Sequence, residues 1–269
     1  MYETYWGLKE QPFDNSPNPK FFYLSPEHEE ALVRLMYAVR QRKGCALLTG
    51  EYGCGKTTLS RALIQRVEAE RYEIALLTNP SWTAASDFLR EVLYQLGIES
   101  QGTTKTDLLH QLNDVFYRNF QAGRDTVIIV DEAQLIDDDA IFEDLRLLLN
   151  FQTDDRFLVT LLLIGSPELA AKVRRLKHLD QRIAIRYHLN TLDDAHTSAY
   201  IAHRLQMAGQ SKRIFTEAAV KLTFDFTRGT PREINNICDI SLLVGYAKKA
   251  QAIDERIIAE VIKDKVGTG

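Results

Sequence analysis

Cysteine is scarce in this chain of 269 residues, which has three, at positions 45, 54 and 238. So few and so scattered, they supply neither a disulfide framework nor a zinc site, and a reducing cytoplasm is the expected compartment. Long apolar runs are missing too. The best candidate, Phe157 to Ile164, is short and broken by Thr160, against the roughly twenty residues that a spanning helix needs, so no membrane span is expected. The opening MYETYWGLKE lacks a basic stretch followed by an apolar one, which speaks against a secretory signal. Neither sign of charge dominates: 33 Lys and Arg stand against 37 Asp and Glu, a formal net charge of −4. That argues against an overall electrostatic grip on nucleic acid, although a local basic patch stays open. His28, His110, His178, His188, His196 and His203 show no metal-ligand spacing with cysteines or carboxylates and are read as structural. There is no internal repeat, low-complexity tract or long linker. The length suits one α/β domain with a small appendage.

Against these absences stands GEYGCGKTT, Gly50 to Thr58, which fits G-x-x-x-x-G-K-[ST] and follows the apolar run Cys45 to Leu48. Strand, glycine-rich turn and helix make a P-loop. Glycines at 50, 53 and 55 let the backbone wrap so that successive N–H groups point at phosphate oxygens. Lys56 is expected to reach the β- and γ-phosphates, and Thr57 to place its hydroxyl on Mg²⁺. Leu59, Ala62, Leu63 and Val67 continue as a helix whose positive end faces the anion. The candidate nucleotide-binding residues are Gly50, Gly53, Cys54, Gly55, Lys56, Thr57 and Thr58. Cys54 at a helix N-terminus raises the idea of a lowered thiol pKa and redox or alkylation sensitivity; a small residue filling a loop position is the favoured alternative.

Downstream, VIIVDE from Val127 to Glu132 is a β-branched strand that delivers two carboxylates to its C-terminal edge, a Walker B element. Asp131 is expected in the Mg²⁺ shell, and Glu132 as the base that orients and deprotonates the attacking water. Asp137, Asp138 and Asp139 read as a solvated acidic turn.

The rest of the pattern is α/β. After a packed lead-in with Phe13, Phe21, Phe22 and Tyr23 among Pro12, Pro17 and Pro19, Ser25-Pro26 opens a helix with Leu32, Leu35, Met36 and Val39 on its apolar face. Strands are expected at Ile74–Thr78, Val127–Val130, Phe157–Ile164 and Ile183–Leu189, and helices at Asp87–Leu96, Thr106–Phe120 and Phe142–Phe151. This alternation predicts a three-layer parallel sheet with helices on both faces and phosphate chemistry at the strands' C-terminal edge. Beyond Leu189 only helical patterns remain, at Ala195–Leu205, Thr216–Phe226, Pro231–Tyr246 and Asp254–Val261. The expected division is a nucleotide-binding domain over 1–190, lead-in included, and a small all-helical lid over 191–269.

A P-loop, an Asp-Glu Walker B pair and a helical lid resemble the AAA+ ATPases. The opening YWGLKEQPFDNSPNPKFFYLSPEHEEAL, with LLTGEYGCGKTTLSRAL, is similar to the ExeA or general-secretion-pathway A branch over nearly the whole chain. The resemblance implies further roles. Ser166, closing the strand before Pro167-Glu168-Leu169, would sense the γ-phosphate, at short range or through water because its side chain is short. Arg232, in Gly229-Thr230-Pro231-Arg232, would be the second sensor, against an ordinary arginine in the first turn of a surface helix. Arg182 in LDQRIAIRYHL would be the finger that enters a neighbouring subunit's site, with Arg186 as rival. Asn79 would restrain Glu132, or merely form the turn before Pro80. The basic run Lys172, Arg174, Arg175, Lys177, His178 reads as a solvated helix face, with contact to an acidic partner or a nucleic-acid backbone as the other option. Phe13 and Tyr23 would wall the adenine or simply pack.

The function implied is that of a Mg²⁺-dependent ATPase, oligomeric as a ring or filament, serving secretion, surface or pilus-type assembly in the bacterial cytoplasm. An ATP-switched DNA-binding regulator of the transposition type and a nucleotide-binding scaffold with little turnover are the alternatives, nucleic acid being the less favoured partner. Relatives with a membrane span and a periplasmic region imply either a free-standing cytoplasmic protein or one brought to the inner face of the membrane by a partner or by a missing C-terminal segment.

Overall fold

The structure is a computed structural model that describes residues 1–16 and 18–267. Pro17 of the lead-in and residues 268–269, the last of the expected lid, lie outside the described residues.

The described residues form two compact units, one of residues 27–50 and 59–189, the other of 1–26, 51–58 and 190–269. In the first, five strands make a parallel sheet: β1 (Cys45–Gly50), β2 (Tyr72–Leu77), β3 (Asp125–Val130), β4 (Val159–Gly165) and β5 (Ile183–Leu189), in the order β2-β3-β4-β1-β5. β1 is paired on both sides, Leu47 lying beside Leu163 of β4 and Arg186 of β5. Every residue of β1 and β4 is buried. Runs such as Leu161-Leu162-Leu163-Ile164 therefore show no polar alternation, because both faces of these strands are covered. Full burial of each such side chain contributes about 1.5–3 kcal/mol. This is the parallel α/β fold that the alternation of patterns predicted.

Helices α4 (Ala85–Gln95), α5 (Lys105–Gln121) and α6 (Asp139–Leu148) bury Phe88, Leu89, Leu112, Phe116, Phe142 and Leu145 in the core with the sheet. Capping sets where they start. Thr104 and Asp107 form a reciprocal capping box at α5, and Asp138 accepts from the Ala140 N–H at 2.9 Å. α6 thus begins at Asp139, ahead of the expected Phe142. It ends before Phe151, whose neighbour Gln152 bridges antiparallel to Phe157, and β4 accordingly starts at Val159 rather than at Phe157. β2 starts two positions ahead of the expected Ile74, because Tyr72 already pairs with Asp125 of β3.

The second unit holds a short helix α1 (Glu3–Trp6) and four longer ones, α9 (Asp194–Met207), α10 (Glu217–Thr227), α11 (Pro231–Ala247) and α12 (Glu255–Gly267). Trp6, Phe13 and Phe21 share a core with Ile201, Leu205, Phe215 and Ile237. Side chains stitch this lead-in to the helices. Buried Arg204 donates to the carbonyls of Pro12 and of Asp14, the latter at 2.6 Å, and its guanidinium lies 4.9 Å from the Phe21 ring. Trp6 Nε1 donates to the Leu242 carbonyl at 2.9 Å. Tyr23 contacts the rings of Tyr200 and His203, so in this unit it is a packing residue. The remaining elements are α2 (Pro26–Arg40), α3 (Lys56–Arg66), α7 (Pro167–Arg175) and α8 (Lys177–Asp180).

Candidate functional site

β1, β3 and β4 run parallel, so Gly50, Val130 and Gly165 end at one edge of the sheet. Each strand hands over there to a segment that carries candidate chemistry.

After Gly50 the chain turns through residues 51–55 and enters α3 at Lys56. Gly53 and Gly55 have φ of +77° and +100°, a left-handed conformation that L side chains rarely adopt. At Gly53 space is also closed: a Cβ would stand 2.6 Å from that of Arg232. The backbone N–H of Arg232 donates to the Gly53 carbonyl at 3.3 Å, so the first turn of α11 touches the loop, with the Arg232 side chain exposed. Lys56 is buried, donates from Nζ to the Glu51 carbonyl at 2.9 Å and lies 5.7 Å from the Tyr52 ring. Gly50 is buried, and Thr57 and Thr58 are half-buried. Cys54 departs from the thiol idea raised by the sequence. Burial pushes its pKa up, outweighing the opposing influence of Lys56, so a lowered pKa is corrected to a raised one.

After Val130 comes a tight, over-determined turn. Asp131 is 2% exposed and donates its N–H to the Leu77 carbonyl at 2.8 Å. Glu132 has φ of +55°, unusual for a residue with a long side chain. Its N–H donates to Asp131 Oδ1 at 3.0 Å, and its Oε2 accepts from Gln134 Nε2 at 2.6 Å. At the end of β4, the Ser166 N–H donates to Gln134 Oε1 at 3.0 Å. The Ser166 hydroxyl is fully buried and has no hydrogen-bond partner among the described residues. Gln134 therefore joins Glu132 to Ser166, a connection that no reading of motifs supplied; the glutamine two residues after Glu132 was the available signal, but its second partner is 32 residues away.

In the basic run Arg174, Arg175, Lys177 and His178 are exposed, as a solvated face requires, and Lys172 departs from that reading. It lies mostly buried on α7, donating from Nζ to the Gln134 carbonyl at 3.1 Å and to that of Ile136. Asn79, beyond β2, is exposed, and its carbonyl accepts from the Ser81 N–H at 2.8 Å in a turn. Of the two candidate fingers, Arg182 lies just before β5, on the opposite side of the sheet, and Arg186 in the middle of that strand. Arg186 donates to both the carbonyl and the carboxylate of Asp180 at 2.8 Å, whereas the Arg182 side chain donates to Asn150 Oδ1 at 3.3 Å.

Comparison with known proteins adds to this geometry. The family model for the AAA domain matches residues 39–173. The chain belongs to the AAA+ ATPase family. It is 42% identical over 257 residues to general secretion pathway protein A of Aeromonas hydrophila, an alignment that covers 94% of this chain and 46% of that protein. The chain thus spans about half the length of this curated relative. Among solved structures of the AAA+ fold, the ORC2 protein of Aeropyrum pernix in ADPNP–ADP complexes superposes with a TM-score of 0.72 at 17% identity, covering 95% of this chain and 71% of that one. The Drosophila ORC bound to DNA gives 0.69 at 15%, covering 96% and 66%. The RuvB Holliday junction branch migration motor of Thermotoga maritima gives 0.58 at 18%, covering 87% and 68%. At these identities the likeness shows the fold. Among the described residues, no helix of this AAA+ chain is long and apolar enough to cross a membrane.

Proposed function

We propose that this AAA+ chain hydrolyses ATP with Mg²⁺, in an oligomer, and that hydrolysis drives a secretion or surface-assembly machine. The observation that carries this reading is the loop after β1: two left-handed glycines, no room for a side chain at 53, and a buried lysine at the first residue of a helix. Such a loop presents N–H dipoles and one fixed positive charge to phosphate oxygens. The orphaned hydroxyl of Ser166 fits a donor to a γ-phosphate oxygen. Lys56 neutralises charge on the β- and γ-phosphates, and Arg232 adds a second cation. The Thr57 hydroxyl and the Asp131 carboxylate are hard oxygen donors that suit Mg²⁺. When bound, that ion offsets charge on the phosphate oxygens.

In this reading Glu132 orients a water and takes its proton as the water oxygen bonds to the γ-phosphorus and the bond from that phosphorus to the bridging oxygen breaks, ADP leaving with that oxygen, and Asn79 restrains the carboxylate before the substrate is set. Arg182, held less firmly than Arg186, enters the site of a second subunit and stabilises charge on the transferring group. Residues 1–190 serve as the nucleotide-binding part and 191–269 as the lid. The secretion role follows from the named relative, and an inner-membrane location would come through a partner.

The test is ATP hydrolysis by wild type and Arg182→Ala over a protein-concentration series, with light scattering on the same samples. Specific activity that climbs with assembly, together with a variant that assembles yet stays slow, supports the shared-site reading. Activity per subunit that stays flat, with the variant equal to wild type, overturns it. ATP-dependent, salt-sensitive DNA binding in those samples would shift the assignment to a DNA-bound switch.

A further inference from the structure

We propose that Gln134 is a positioning residue that links the γ-phosphate sensor Ser166 to the base Glu132 and sets the direction in which the Glu132 carboxylate points. The inference rests on the reading of Glu132 as the base for hydrolysis.

The polarity of the bridge is fixed by its partners. A backbone N–H can be met only by an acceptor, so the Ser166 N–H selects the carbonyl end of the Gln134 amide at 3.0 Å. The NH₂ end then faces Glu132 and donates to Oε2 at 2.6 Å. With Oε2 engaged, acceptance of the water's proton falls to the other carboxylate oxygen. The hydrogen bond thus orients the carboxylate and reduces the directions from which it can meet the water.

Three features keep Gln134 in this pose. A Cβ at position 165 would collide with Gln134 Oε1 and approach Leu169 Cδ2 at 2.8 Å, so the glycine that ends β4 makes the space. Lys172 holds the Gln134 carbonyl from α7. The turn itself, with Glu132 at φ +55° and a 3₁₀ segment over Ala133–Leu135, leaves the backbone little latitude.

The bridge also has a direction of information. The Ser166 hydroxyl is fully buried without a partner among the described residues. A shift of Ser166 on meeting a phosphate oxygen moves its own N–H, and the rigid amide of Gln134 carries that shift to Glu132. Phosphate occupancy and base orientation become one event.

Two variants and one control test this. Gln134→Met keeps the volume and removes both hydrogen bonds; Gln134→Glu keeps an acceptor for Ser166 and faces Glu132 with a second carboxylate. In both we expect kcat for ATP to fall on the order of tenfold to a hundredfold while KM stays within about threefold. In the nucleotide-free protein, amide hydrogen exchange at Ser166 should quicken about tenfold in Gln134→Met and stay near wild type in Gln134→Glu. Unchanged Ser166 exchange in Gln134→Met overturns the bridge. Unchanged kcat in both variants, or a change confined to KM, overturns the positioning role. Glu132→Gln separates the two levels: if it abolishes hydrolysis while both Gln134 variants remain active, only this inference fails, and if it remains active, the base reading fails while Ser166 exchange still decides the bridge.

Discussion

The loop after β1 and the turn after β3 both end strands of one parallel sheet, yet they reach their shapes by opposite means. Residues 51–55 are shaped by what side chains leave out: φ at Gly53 and Gly55 is left-handed, and a Cβ at 53 has nowhere to go. Residues 131–136 are shaped by side chains that arrive from elsewhere, with Gln134 tied to Ser166 and Lys172 donating into the turn. A loop made by omission has a local sequence signature. A turn made by recruitment has one only in the fold.

The comparison breaks first, and hardest, at Gly53. Gly53→Ala must place a Cβ in a left-handed residue against Arg232, and we expect a loss of roughly 3 kcal/mol in urea unfolding, from an αL penalty of about 1–2 kcal/mol plus crowding. Binding of a fluorescent ATP analogue should weaken at least about tenfold. A variant as stable and as competent as wild type would mean that the loop tolerates a side chain there. The recruited turn should yield less. Lys172→Met leaves the Gln134 and Ile136 carbonyls without this donor, so a cost of about 1–2 kcal/mol is expected, with nucleotide affinity unchanged and slower hydrolysis; equal stability would show the lysine to be dispensable. The smallest effect concerns Cys54. Its pKa is raised above that of a free thiol, chiefly by burial, so its thiolate is scarcer at pH 8 and grows only as pH climbs past the ordinary thiol range. Iodoacetamide labelling of the folded protein at pH 8, followed by mass spectrometry, should be slower at Cys54 than at a free cysteine, and faster labelling would reverse the assignment.

What the sequence made legible follows the same line. The strands β1, β3 and β4 stand out because covered strands are continuous apolar runs, β5 is an edge strand whose burial alternates along Ile183–Leu189, and the phosphate loop stands out because glycine spacing is a local constraint. The four C-terminal helices appear in their expected places, with Thr216 and Asp193 as caps. Hidden were the features that depend on partners far along the chain. α1 is a four-residue helix, too short to be stable by propensity, and it holds because Trp6 packs with Leu242 and Ile253 in the core of the second unit. Arg204 looks like one more surface arginine of an amphipathic helix, yet it is buried and ties down two carbonyls of the lead-in. Lys172 sits in a basic run that suggests solvent, and only the course of α7 explains its burial. Of the candidate site, the loop glycines, Lys56, Asp131 and Glu132 were visible as motifs; Gln134 was not, because Ser166 reaches it only once β4 lies beside β3.

The place of β1 in the sheet has a consequence for biosynthesis. Both of its neighbours, β4 and β5, belong to residues 159–189, so on a translating ribosome β1 waits, without a strand on either side, until more than a hundred further residues have been made. Loop-closure entropy makes such pairings slow. The edge pair β2–β3 can form earlier and offers a surface for β4 to join. The phosphate loop, although encoded early, is then among the last parts to be held in shape, and the nascent chain passes through a stage in which an apolar strand, Cys45–Gly50, is open to chaperones or to misassociation.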